Sequence, residues 1–222
     1  MVFWRMRVAT IPATVFFLSL ILALVGELLT LSVSYHTTYP YLVVLGVERL
    51  VLGFLLLGVA AHGTGGSSFG FDRDRFAPGL KRGLIWSAFA GLAALLFFAV
   101  LYAARISPLT VIKAPLPSDS LDLTLYFVVG GLIGPFAEEI FFRGIIYGFL
   151  RRWGILLALV GTSAVFVAAH IESTHMPLTQ IVGSIIFAIA YEMEGNLLVP
   201  ITIHVLGNTA IFALCLVGVW LG

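Results

Sequence analysis

The chain has 222 residues, of which 60% are hydrophobic and 10% charged, and its mean hydropathy of +1.10 lies outside the range of water-soluble domains. A net charge of +1, with no basic tract and no acidic tail, argues against a nucleic-acid partner and against electrostatic recruitment of any other. The single cysteine, Cys215, rules out an intrachain disulfide and a cysteine-rich metal site.

Roughly 20 apolar residues are needed to cross a bilayer as helix. On that measure the chain reads as an all-α, polytopic transmembrane helix bundle of about seven spans, within a range of six to eight. The spans fall near 8–33, 39–62, 83–106, 121–150, 154–171, 177–193 and 197–221. The first apolar run continues to about Val33 without a small-residue cleavage site, so it reads as a span and not as a signal peptide. The Gly-rich segment from Gly63 to Arg82 is expected to be a loop, as is Ser107 to Ser120 with Pro108, Pro115 and Pro117. No internal repeat is evident, and residues 1–222 are expected to form one transmembrane domain. With the N-terminus inside, Arg5, Arg7, Arg73, Arg75, Lys81, Arg82, Arg151 and Arg152 share one side, against Arg105 and Lys113 on the other. The positive-inside rule then predicts a cytoplasmic N-terminus.

An ionised side chain in mid-membrane costs about 2.5–3.5 kcal/mol on insertion scales, so each one calls for a reason. They gather in three late spans, which carry GPFAEEIFFRG (Gly134 to Gly144), FVAAH (Phe166 to His170) and HVLGN (His204 to Asn208). Glu139 and Arg143 stand at i and i+4 and are expected to pair on one helix face. Glu138 then points about 100° away from its neighbour, free to face a cavity as a general base. Gly134 and Pro135 predict a kink or a new helical segment just ahead of the acids.

His204 and Asn208 share a face, again at i and i+4, and Phe166 and His170 repeat that spacing. Glu138, His170, His204 and Asn208 together supply a base and hydrogen-bond donors for an oxyanion, which is a hydrolytic set. In one assignment Glu138 deprotonates a water, His204 and Asn208 stabilise the tetrahedral oxygen, and His170 orients or also donates. In a second, Glu138, His170 and His204 are ligands of a zinc ion whose bound water is the nucleophile; no HExxH accompanies it.

EExxxR, FxxxH and HxxxN, in this order on successive apolar segments, resemble the CPBP or Abi family of intramembrane proteases, which includes the CAAX prenyl endopeptidases. The resemblance covers about 121–221, which would be the catalytic core. It implies Glu138 as the water-activating base, His204 and Asn208 as oxyanion donors, and Glu139 with Arg143 in support. It implies an intramembrane endopeptidase of glutamic type, with no metal assigned, acting on a membrane-embedded or lipidated protein. The first three spans carry no matching motif.

Other polar residues have plainer explanations. Glu27, Glu48 and Arg49 are expected to pair structurally, or else to line a substrate groove. His36, His62 and His175 lie near loops, and Glu172, Glu192 and Glu194 at span ends, where solvation suffices. Two other functions fit buried acids and histidines: a proton-coupled transporter, and a non-catalytic bacteriocin-immunity membrane protein.

Overall fold

A computed structural model describes residues 8–37, 40–64, 69–112, 114–171 and 178–221. Seven principal helices run through the described residues: α1 (Ala13–His36), α2 (Tyr41–Gly63), α3 (Arg73–Ala103), α4 (Ser120–Trp153), α5 (Ile155–Ala169), α6 (Leu178–Glu194) and α7 (Leu198–Leu221). Five of them, α1 to α4 and α7, are long and apolar enough to cross a membrane. The chain is a multi-pass integral membrane protein. The expected seven spans are thus seven helices of unequal reach. The fifteen residues of α5 extend only about 22 Å, short of a hydrocarbon core of about 30 Å.

The helix boundaries follow from local chemistry. Pro12 and Pro40 precede α1 and α2 with φ of −61° and −56°, which suits a residue entering a helix. Asp119 caps α4 by accepting from the backbone N–H groups of Leu121 and Asp122 at 2.9 and 3.1 Å. The turn from α4 to α5 requires Gly154, whose φ of 123° suits only a residue without Cβ. Asn196 joins α6 to α7, its Oδ1 accepting from Leu198 N at 2.9 Å.

One expectation is corrected here and another is met. The segment from Arg73 to Arg82 is helix, not loop: α3 starts at Arg73 behind the N-cap Asp72 and carries Pro78 inside its second turn. Its charged residues extend the helix beyond the apolar part, which is why hydropathy alone placed the start ten residues late. Pro135 stands in the first turn of an α-helical segment, Gly134–Glu139, as expected, within a helical backbone that is continuous through it. Ile133 and Gly134 keep right-handed helical angles, and the strain is taken up by a π-helical turn over Val129–Ile133. A second π-helical stretch covers Ile140–Tyr147.

α4 lies at the centre, and glycines let its neighbours approach. On α2, a Cβ at Gly46 would meet Val129 at 2.9 Å, and one at Gly53 would meet Phe136 at 3.0 Å. On α3, Gly79 and Gly83 form a GxxxG pair against Asn196 and Thr202, the small-residue contact by which membrane helices pack. The rest of α3 turns Phe89, Leu95 and Val100 outward, as a lipid-facing helix does. Ile11, Leu56, Ile140, Ile145, Tyr147, Leu197 and Ile201 make the apolar core.

One end of the bundle is tied by ions. Glu192 was expected to be solvated at a span end; it is buried, accepting from Tyr147 Oη at 2.8 Å and from Arg151 at 2.9 and 2.8 Å. Glu194 likewise accepts from Trp86 Nε1 at 3.2 Å and faces Arg82 at 3.9 Å. His36 and His62 are exposed, as expected; Glu172 and His175 lie outside the described residues.

Candidate active site

Arg143 is fully buried and fixes the floor of the site. Its Nη1 donates to Glu139 Oε1 at 3.0 Å and its Nη2 to the Ser184 carbonyl of α6 at 3.1 Å. The Phe166 and Phe187 rings lie 4.7 and 5.2 Å from Cζ, within cation–π range. The i,i+4 pairing expected from sequence is present. What the sequence concealed is that two phenylalanines and a carbonyl from other helices complete the guanidinium's surroundings.

Those phenylalanines also position the histidines. His170 stacks on Phe166 with centroids 4.3 Å apart, and His204 on Phe187 at 4.6 Å. His170 Nδ1 lies 2.7 Å from the Phe166 carbonyl, one helical turn back. His204 Nδ1 lies 2.7 Å from Glu139 Oε1, so Glu139 binds Arg143 and His204 through one oxygen. A carbonyl only accepts, so His170 carries its proton on Nδ1, and in the neutral ring Nε2 is a lone pair.

Both Nε2 atoms face Glu138. Its Oε2 lies 3.5 Å from His170 Nε2 and 3.9 Å from His204 Nε2. The glutamate side chain is 25% exposed where Glu139 is wholly enclosed, so Glu138 reaches open space and its neighbour does not. The separation of two adjacent acids into a locked one and a free one follows from their angular offset on α4. Asn208, one turn beyond His204, donates from Nδ2 to the Gly130 carbonyl at 3.0 Å. Glu138, His170 and His204 therefore converge, and Asn208 meets α4 eight residues before Glu138, about two turns nearer its N-terminus.

Among the described residues no group of three or more His, Cys, Asp and Glu side chains gathers in the way that holds a metal ion. The two imidazole Nε2 atoms approach a single oxygen of Glu138.

A third group lies nearby on α1 and α2. Arg49 pairs with Glu27 and, at 3.2 Å, with Glu48, as expected. It also lies within electrostatic reach of Glu138.

Known proteins resemble the later part of the chain. The family described as Type II CAAX prenyl endopeptidase Rce1-like matches residues 120–210, which carry all six site residues. The membrane-embedded CAAX protease MroQ of Staphylococcus aureus is 32% identical over 111 residues, 47% of this chain and 43% of that protein. The "Putative membrane peptidase YdiL" of Bacillus subtilis is 34% identical over 86 residues, 38% of this chain and 35% of its own length. The matched stretch thus spans less than half of either relative, and no solved structure matches the chain. Over residues 120–210, less than half of its length, the chain is similar to the Rce1-like type II CAAX prenyl endopeptidases.

Proposed function

We propose that this protein is an intramembrane endopeptidase that hydrolyses a peptide bond of a membrane-embedded or lipidated protein, with Glu138 as the base that activates water. The observation that carries this reading is the single carboxylate oxygen of Glu138 facing two imidazole nitrogens at 3.5 and 3.9 Å, while Glu139 is occupied by Arg143 and His204.

A water held between Glu138 and the Nε2 lone pair of His170 gives its proton to Glu138 as its oxygen attacks the scissile carbonyl carbon. The carbonyl π electrons move to oxygen. The oxyanion takes a hydrogen bond from Asn208 and one from His204 Nε2–H, which the doubly protonated ring offers while Nδ1–H stays on Glu139. The tetrahedral intermediate then collapses. Its C–N bond breaks, Glu138 returns the proton to the leaving nitrogen, and a carboxylic acid and an amine are released, between which a proton then passes in water to give carboxylate and ammonium. General base catalysis of this kind contributes about 10²–10⁴-fold.

The depth of the site supports a substrate lying in the membrane. Thirteen residues of α4 separate Glu138 from Arg151, or about 20 Å of helix. Arg73, Arg75, Lys81, Arg82, Arg151 and Arg152 all flank that end of the bundle, and the positive-inside rule makes it the cytoplasmic one.

The test compares protein termini in membranes of cells carrying wild-type protein or Glu138→Gln, matched for expression and thermal midpoint. New termini confined to the wild type support proteolysis and reveal the substrate class. Identical sets overturn it, and Glu138-dependent solute flux would then assign the carboxylate to transport. Cleavage abolished by a zinc chelator and restored by zinc would replace the metal-independent route.

A further inference from the structure

The bond between Asn208 and α4 has a cause inside α4 itself. In the π-helical turn, Gly134 N–H bonds the Val129 carbonyl, five residues back. The next donor in that register is residue 135 and its acceptor would be the Gly130 carbonyl. Residue 135 is proline, which has no N–H. The Gly130 carbonyl, left without its backbone donor, accepts from Asn208 Nδ2 at 3.0 Å.

The helices are shaped for that exchange. A Cβ at Gly130 would come within 3.3 Å of the Phe212 ring, and one at Gly131 within 3.2 Å of Thr209 Oγ1, so the two glycines let α7 close on this turn. Glu138 folds back along the same helix: its Oε1 lies 3.5 Å from the position a Cβ would take on Gly134, one turn from Gly130. With one amide N–H given to Gly130, the orientation of the Asn208 amide, and so of its second N–H, is fixed relative to α4.

We propose that Pro135 is a positioning residue for the reaction: by withholding a backbone donor it reserves the Gly130 carbonyl for Asn208 and thereby sets the orientation of the Asn208 amide. This rests on the hydrolytic reading above for its catalytic consequence, but not for the hydrogen bond itself. Proline inside a helix is otherwise unfavourable, so Pro135→Ala is expected to keep or raise the thermal midpoint, to let the new N–H compete for Gly130, and to release Asn208.

The chain contains only two asparagines, Asn196 and Asn208, which makes the test direct. Full-length protein labelled with side-chain 15N-asparagine is observed in detergent micelles, with Asn208→Asp identifying the Asn208 pair and Asn196, bonded to the Arg75 carbonyl at 3.0 Å, as internal control. The wild type is expected to show one downfield, exchange-protected Asn208 proton, and Pro135→Ala to lose that protection while Asn196 is unchanged. An Asn208 pair equally protected in Pro135→Ala overturns the proposal.

Product formation in cells then forms a cycle. Pro135→Ala and Asn208→Ala are each expected to lower it tenfold or more, and the double variant no further than Asn208→Ala alone. If Asn208→Ala costs the same with alanine or proline at 135, the coupling to the reaction is overturned. If Asn208→Ala alone costs nothing, it is the oxyanion role of Asn208 that fails, and the spectra still decide whether Pro135 orients the amide.

Discussion

His204 Nδ1 and Glu139 Oε1 lie 2.7 Å apart, and the same oxygen accepts from Arg143 at 3.0 Å, so one buried atom joins α7 to α4. Glu139→Gln removes the charge from both contacts and leaves a guanidinium with no exposed surface and no counter-ion. Breaking a buried pair from one side costs about 3–5 kcal/mol. Glu139→Gln is expected to lose most of its folded protein in detergent, and Glu138→Gln to melt with the wild type. A Glu139→Gln protein as stable as the wild type would deny this pair any structural role.

Phe166 serves two groups, stacking on His170 at 4.3 Å and lying 4.7 Å from Arg143 Cζ. Leucine at 166 keeps the carbonyl that holds His170 Nδ1 but removes the ring. Phe166→Leu is expected to destabilise by about 1–2 kcal/mol and to slow cleavage, because His170 is freer to turn. Thermal midpoint and initial rate are measured together; an unaltered rate would show that the carbonyl alone orients the imidazole.

Glu192 fastens the end of α4 to α6 through Tyr147 and Arg151. Glu192→Gln leaves buried donors poorly matched, at a cost of about 1–3 kcal/mol. Backbone hydrogen exchange should quicken across residues 148–153 and stay slow around Glu139. Exchange that is unchanged at 148–153 would mean the clamp is dispensable.

The contact of α3 with α7 depends on Gly83. A Cβ there would sit 2.5 Å from Thr202 Cβ, which only movement of a helix relieves. Gly83→Ala is expected to lower stability by about 1–3 kcal/mol, seen as a reduced thermal midpoint. Because α3 supplies no residue to the site, cleavage per folded molecule should change little.

Pairs that lie one turn apart were legible in the sequence. Glu139 with Arg143, Phe166 with His170 and His204 with Asn208 needed only the helical period, and the offset of Glu138 from Glu139 followed from the same geometry. Partners distant in sequence were not. Glu192 looked like a solvated end residue because Tyr147 and Arg151 stand 45 and 41 residues before it. The start of α3 was missed since its first turns are charged and only its length makes them helix. At Pro135 the sequence announced a kink or a new segment, and an α-helical segment does start at Gly134, but the wider turn over Val129–Ile133 ahead of it has no signature in residue types.

The different partnerships of the two adjacent glutamates bear on how the chain enters the membrane during synthesis. Glu139 meets Arg143 within α4 itself, so that helix can leave the translocon with this pair already neutralised. Glu138 has no such partner on α4; its imidazoles arrive with α5 and α7, which are still unmade when α4 emerges. Until then its carboxyl must be protonated or remain at the lipid–water boundary. Glu138 therefore gains both imidazoles only after α7 has been made, and the active site closes once α4, α5 and α7 have met.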